Sequence, residues 1–173
     1  MGRGAVDELI LLAEQVVVAQ TRAGRRIVTA ESCTGGLIAA CLTAVAGASV
    51  VVERGYVTYS NQAKEQDLGV PPETLAAYGA VSAETAAAMA LGALNRSPAE
   101  LAVAVTGIAG PGGGSLEKPA GLVYLALACR DGGAPQVERH LFAGDRAAVR
   151  SATVRRALEL LLFVSPAALD LGP

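Results

Sequence analysis

Ser32, Tyr59 and Lys64, together with the glycine loop that opens at Thr106, carry residue types that could open an amide or ester without a histidine. A serine hydroxyl becomes a nucleophile when a neighbouring base takes its proton, and a neutral lysine amine can be that base. At its ordinary pKa of about 10.4, lysine is neutral in only a few molecules per ten thousand near pH 7. Burial and neighbouring positive ends must therefore bring it toward about 7–8 before it can work efficiently. Each of these residues follows a strand-like run. Ser32 lies in Glu31-Ser32-Cys33-Thr34-Gly35-Gly36, after Arg25-Arg26-Ile27-Val28-Thr29-Ala30. Tyr59 ends the run 49–59, and Lys64 stands one turn into the helix predicted after it. Thr106-Gly107-Ile108-Ala109-Gly110-Pro111-Gly112-Gly113-Gly114-Ser115 follows Leu101-Ala102-Val103-Ala104-Val105. In open α/β sheets ligands collect where strands end, so these three junctions are expected to meet.

Each feature also has a plainer reading. A glycine loop of this kind can be a surface connection, and this one lacks both the Lys-Ser/Thr ending of a Walker loop and the Gly-x-Gly-x-x-Gly dinucleotide order. Ser32 or Thr34 can be a helix N-cap, worth about 1 kcal/mol, or a hydroxyl donor at an anion-binding helix start. Lys64 can be a solvated charge, since lysine is seldom buried. Cys33 adjoins Ser32 at the same helix start, where a thiol pKa can fall, and can equally be a small buried side chain. His140 is the single histidine and sits in the alternating run 137–142, which reads as a strand position. Cys33, Cys41 and Cys129 are odd in number and widely spaced, fitting neither a disulfide framework nor a Cys-x-x-Cys metal site. No metal is expected.

The elements that must position these residues alternate along the chain. Apolar residues at helical spacing predict a helix over 7–23, closed by Gly24. The strand 25–30 leads through the serine turn to a helix over 37–42. The run 49–59 has strand composition with a bend expected at Gly55; as one extended strand it would place Ser49 some 30 Å from Tyr59 at ~3.3 Å per residue, a separation that the bend or a neighbouring subunit would undo. A short helix over 60–69 has a Ser60-Asn61 cap and Gly69 as its stop; a proline-opened turn covers 70–79, and Ser82-Ala83-Glu84-Thr85 opens an alanine-rich helix to 95. Buried strands are expected at 101–105 and 121–129, the latter turning at Asp131-Gly132-Gly133 into 137–142, and Gly144-Asp145-Arg146 caps a last helix to 164. About five strands alternating with helices predict a three-layer α/β/α sandwich with a mixed, mostly parallel sheet.

The 173 residues read as one domain over 1–173, with 52% apolar and 3% aromatic residues, so the core must be aliphatic and finely packed. A net charge of −2 and the absence of a Lys/Arg cluster argue against a nucleic-acid face. No apolar run approaches the roughly 18 residues of a membrane span, and the start Met1-Gly2-Arg3-Gly4 leads into an amphipathic segment rather than a signal sequence. A cytoplasmic protein without a membrane partner is expected.

The chain resembles the CinA C-terminal family, specifically its stand-alone PncC type of nicotinamide-nucleotide amidase. The resemblance runs from about residue 7 to 164. It rests on Thr29-Ala30-Glu31-Ser32-Cys33-Thr34-Gly35-Gly36, Glu53-Arg54-Gly55-Tyr56-Val57-Thr58-Tyr59-Ser60-Asn61-Gln62-Ala63-Lys64, Gly79-Ala80-Val81-Ser82, Thr106-Gly107-Ile108-Ala109-Gly110-Pro111-Gly112-Gly113 and Gly144-Asp145-Arg146. It implies hydrolysis of the carboxamide of nicotinamide mononucleotide to nicotinic acid mononucleotide and ammonia in bacterial pyridine-nucleotide salvage, without cofactor or metal. Many family members carry an additional N-terminal domain, for which this chain is expected to have no room.

Carried over residue by residue, the resemblance makes Ser32 the nucleophile and Lys64 its base, with Tyr59 relaying the proton and Thr106 in support; Ser49, where relatives also have a serine, is the alternative nucleophile. N–H groups around Gly107 would hold the oxyanion. The phosphate would rest on Thr34-Gly35-Gly36 or on the loop containing Gly110 and Gly113, assisted by Arg146. A homo-oligomer, a dimer, is expected. The competing class is a non-catalytic nucleotide-binding or regulatory module linked to competence or damage responses, which would have no need of Lys64 beside Tyr59. A magnesium-dependent phosphohydrolase is disfavoured by the lack of a carboxylate cluster.

Overall fold

The apolar run that delivers the glycine loop forms the middle of a sheet. In the computed structural model, which describes residues 3–164 with side chains from Val6 onward, it is strand β3 (Leu101–Gly107), buried along nearly its whole length. The chain order is α1 (Arg3–Ala23), β1 (Ile27–Glu31), α2 (Leu37–Thr43), a 3₁₀ turn (Ala48–Val50), β2 (Val52–Val57), α3 (Asn61–Leu68), α4 (Pro72–Tyr78), α5 (Ala83–Asn95), β3, β4 (Leu122–Cys129), β5 (Gln136–Leu141) and α6 (Arg146–Leu162). The five strands lie in the order β2-β1-β3-β4-β5. β2, β1 and β3 pair in parallel, whereas β4 and β5 are added antiparallel as the expected hairpin. The ends of the domain expected over 1–173, and the Met1-Gly2 start, lie outside the described residues.

Side chains alternate across a strand, so each strand feeds two cores. Leu101, Val103 and Val105, with Val123, Leu125 and Leu127, meet α1, α2 and α6 on one face. The other face is built from Ala102, Ala104, Ala126 and Ala128, with Val28 and Ala30, against Leu68, Leu75 and the Ala86, Met89, Ala90 and Ala93 stripe of α5. Ala30, Ala104 and Ala126 are in register across three strands. Small side chains on both partners let α5 lie close to the sheet, which is where the alanine content goes. α5 also lies close against the end of α3, which explains Gly92, where a Cβ would fall 2.0 Å from the Leu68 carbonyl oxygen. Three layers result, α/β/α. Among the described residues no helix is long and apolar enough to cross a membrane.

Capping follows the sequence. Ser60 accepts from the Ala63 N–H and Gly69 ends α3 at φ 66°; Ser82 and Asp145 cap α5 and α6 by accepting from Thr85 and Ala148 N–H. The stretch 49–59 departs from expectation. Ser49 belongs to the 3₁₀ turn, and β2 starts only at Val52. Gly55 makes no bend, since it pairs straight with Thr29; the irregularity lies earlier, where Ile27 faces Val52 but Val28 faces Arg54. Glu53, the residue skipped, is drawn out by Arg26 and Arg54 at 2.9 and 3.1 Å. Gly55 is glycine because a Cβ would stand 2.9 Å from Thr29 Oγ1 and 3.1 Å from the Ala39 methyl of the crossing α2.

Candidate active site

Because β1, β2 and β3 run the same way, their C-terminal ends bring the three junctions to one edge of the sheet. There Ser32, Cys33, Tyr59, Lys64, Thr106 and the loop from Gly107 to Gly113, with Arg146, line an open cleft of about 250 Å³. Glu31 is in register with Val57 of β2, so the residues just beyond, Ser32 and Thr58, end side by side. Lys64 then reaches back from the first turns of α3.

Lys64 is 1% exposed. Its Nζ stands 3.1 Å from Ser32 Oγ, donates to the Thr58 carbonyl at 2.8 Å and makes a longer contact, 3.4 Å, to the Tyr59 carbonyl. Among the described residues no carboxylate pairs with it. Burial therefore pushes its pKa down to about 8 from the ordinary 10.5, the charge being costly where water is excluded. The three oxygens match the three N–H bonds of an ammonium. After losing one proton the amine can still donate to the two carbonyls, with its lone pair left toward Ser32. The Ser32 hydroxyl then becomes the donor, which is the arrangement a general base requires.

The turn that carries Ser32 is built on Glu31, a residue to which the sequence reading gave no role. Fully buried, its Oε2 accepts from Thr34 Oγ1 at 2.7 Å and from the Gly36 and Ile38 N–H groups at 3.0 Å each. Its Oε1 accepts from Ala39 N–H at 2.9 Å and Thr29 Oγ1 at 3.4 Å. The N–H groups of α2 that were expected to receive a substrate phosphate beside Thr34, Gly35 and Gly36 are thus already spent on a side chain. Gly35 N–H in turn donates to the Ser32 carbonyl. None of Thr34, Gly35 and Gly36 lines the cleft. A carboxylate at the end of an otherwise buried apolar strand was the available clue.

The opposite wall is the glycine loop. Gly107 ends β3 opposite Val123, where a Cβ would lie 2.7 Å from both the Leu122 carbonyl oxygen and Val123 Cγ2. The Ile108 N–H donates to that carbonyl at 2.8 Å, so oxyanion donors cannot include it. Among the described residues, the N–H groups of Ala109, Gly110, Gly112 and Gly113 have no protein acceptor. Thr106 Oγ1 donates to the Ala80 carbonyl at 2.6 Å, and Lys118 Nζ to the Tyr78 and Val81 carbonyls at 2.6 and 2.8 Å. These contacts hold the α4–α5 connection against the loop, which is why Ala80 and Val81 join the cleft wall.

Arg146 closes the site from the third layer. Its guanidinium donates to the Gly110 carbonyl at 3.0 Å and to the Tyr59 hydroxyl at 2.9 Å. Tyr59 therefore meets Lys64 through its main-chain carbonyl, while its phenol oxygen accepts from Arg146. One turn on, Arg150 donates to the Thr34 carbonyl at 2.6 Å.

The other candidates are placed elsewhere or chemically quiet. Cys33 lines the cleft, yet burial pushes its thiol up to about 11, the opposite of an activated thiolate. Ser49 precedes β2 at the far edge of the sheet, separated from Tyr59 by the whole strand. His140 lies on edge strand β5, stacked on Phe142 and 2.8 Å from Glu138, which Arg156 also grips. No group of three or more His, Cys, Asp or Glu able to hold a metal occurs among the described residues.

Fold and site together define an α/β/α domain in which a serine hydroxyl faces a buried amine at the end of the parallel strands. The chain belongs to the CinA C-terminal domain family, whose model matches residues 10–164. It is 50% identical over 155 residues to the nicotinamide-nucleotide amidohydrolase PncC of Escherichia coli (strain K12), covering 90% of this chain and 93% of that protein. It is 57% identical over 138 residues to a CinA-like protein of Geobacter sp. (strain M21), covering 80% of this chain; it spans about a third, 33%, of that longer relative. The crystal structure of the competence/damage inducible protein CihA from Agrobacterium tumefaciens matches at a TM-score of 0.86 and 54% identity, covering 89% of this chain and 93% of that one.

Proposed function

We propose that this protein hydrolyses the carboxamide of nicotinamide mononucleotide, giving nicotinic acid mononucleotide and ammonia in bacterial NAD salvage. The observation that carries the reading is Lys64 Nζ, buried with no counter-ion among the described residues, 3.1 Å from Ser32 Oγ. The likeness to a nicotinamide-nucleotide amidohydrolase along nearly its whole length supports the substrate. In this mechanism neutral Lys64 takes the Ser32 proton as Oγ bonds to the amide carbon. The unpaired N–H groups of the glycine loop, those of Ala109, Gly110, Gly112 and Gly113, supply the donors that hold the oxyanion. As the C–N bond breaks, Lys64 returns the proton to the leaving nitrogen and ammonia departs. Water, deprotonated by the same amine, then opens the ester, so that Ser32 regains its proton and the carboxylic acid leaves.

The base must be neutral, so activity rises with pH. At pH 7 about a tenth of Lys64 is neutral if its pKa is about 8. Measured between pH 6 and 9.5, kcat/KM should climb about tenfold per unit on the acid side and level off above about 8. A plateau already present at pH 6 would contradict Lys64 as the base.

With the start of α2 occupied by Glu31, the substrate phosphate is assigned to the glycine loop and Arg146. Comparing nicotinamide mononucleotide with nicotinamide riboside tests this. Arg146→Ala is expected to raise KM for the mononucleotide about 10- to 100-fold, the worth of one or two charge-assisted hydrogen bonds, and to leave the slow riboside reaction much less affected. Equal losses on both substrates would place the phosphate elsewhere. The reading is completed by a cytoplasmic location, where pyridine nucleotides are salvaged, and by a homodimer.

A further inference from the structure

We infer that Glu31 is a positioning residue for the Ser32–Lys64 pair, acting through the turn it anchors rather than by touching the substrate. The inference rests on the amidase reading and adds to it a residue outside the cleft wall. A closed ring of links joins the three residues. The Glu31 carbonyl accepts from Thr58 N–H at 2.9 Å, the Thr58 carbonyl accepts from Lys64 Nζ at 2.8 Å, Lys64 Nζ meets Ser32 Oγ at 3.1 Å, and the peptide bond returns from Ser32 to Glu31. The nucleophile and its base are thus fixed relative to one another through the main chain of Glu31.

The side chain sets the other coordinate, the direction in which the chain leaves Ser32. Helix α2 has Gly36, in the left-handed region at φ 93°, at its N-cap position with no side-chain cap of its own. The carboxylate of Glu31, five residues earlier, does that work for Gly36, Ile38 and Ala39 at once and also holds Thr34. With Ser32 N–H on the Val105 carbonyl at 3.1 Å, the turn is held on both sides of the nucleophile. All of the side-chain partners are N–H or O–H donors, and a buried carboxylate is tolerated only when so satisfied. A glutamine is the same size but presents an N–H to one of these donors: with its nitrogen at the Oε1 position it would face the Ala39 N–H at 2.9 Å. The turn must shift to relieve that contact, and Oγ moves with it.

The test is steady-state hydrolysis of nicotinamide mononucleotide by Glu31→Gln and Thr34→Val, with thermal unfolding of each. For Glu31→Gln, kcat is expected to fall about 30- to 100-fold, the scale of a misplacement near 1 Å, with KM within about threefold because the phosphate is assigned to the glycine loop and Arg146, which Glu31 does not touch. Thr34→Val, which removes one donor and keeps the charge, should lose about 3- to 10-fold in kcat by the same argument. The inference is overturned if wild-type protein is active but Glu31→Gln keeps kcat within twofold, or if its loss is matched by the unfolded fraction. If Glu31→Gln does not fold, Thr34→Val decides, and an unchanged kcat overturns it. Inactive wild-type protein would instead remove the amidase reading itself.

Discussion

Replacing Lys64 with methionine should abolish amide hydrolysis while leaving a protein at least as stable as the wild type at pH 7. The loss, about 10³-fold in kcat/KM, is what removal of a general base takes away. The stability follows from the same amine. In the unfolded chain Lys64 titrates at its ordinary 10.5, and in the fold at about 8. Between those values the unfolded chain binds the proton more tightly, so wild-type stability rises with pH through that window; below about 8 the full penalty is present. At 1.36 kcal/mol per unit, burial of the charge costs the native state about 3 kcal/mol at neutral pH. Methionine fills the same channel without that penalty, though the Thr58 and Tyr59 carbonyls lose a donor, an offset of about 1–3 kcal/mol. The pH dependence is free of that offset. Denaturant unfolding at pH 7 and pH 10.5 should show the wild type gaining about 3 kcal/mol on Lys64→Met. A stability difference that does not change with pH would mean that Lys64 is an ordinary solvated lysine.

Ser32→Ala should remove about 10⁴-fold or more of the activity, and Cys33→Ala should keep it within about threefold. The two residues are neighbours in sequence and both line the cleft, but their environments differ. Ser32 has a base 3.1 Å away, whereas the Cys33 thiol is pushed up to about 11, leaving about one thiolate per thousand at pH 8. Because nucleophile and base act as one unit, the double variant Ser32→Ala/Lys64→Met should be no worse than Ser32→Ala alone. Multiplying losses would show that Lys64 serves some step that does not involve Ser32. Loss on replacing Cys33 with retention on replacing Ser32 would transfer the nucleophile by one residue.

Much of the scaffold could be read from local chemistry because local chemistry decides it. Ser60 and Gly69 delimit α3, Ser82 opens α5, and the unbroken apolar run from Leu101 is a central strand covered on both faces. The stretch around Ser49 misled because its valines favour a strand on average, while the turn after Gly47, at φ 84°, takes Ser49 into a 3₁₀ helix and the pull of Arg26 on Glu53 comes from a distant part of the chain. In the site, the convergence of three strand ends was legible from the junctions alone. Which polar groups remain available there was not. The helix start beside Thr34 looks ready for a phosphate until Glu31 is seen folded back into it, and the Tyr59 hydroxyl looks free until Arg146 is seen donating to it. Both depend on partners distant along the chain or on a side-chain direction that residue type alone does not fix.

The most direct test of the central claim is the product balance when purified wild-type protein, treated with a chelator, is given nicotinamide mononucleotide. Ammonia and nicotinic acid mononucleotide should appear in equal amounts, with no release of free nicotinamide. Binding of the mononucleotide without ammonia, or cleavage that frees nicotinamide instead, would contradict amide hydrolysis at Ser32 and Lys64.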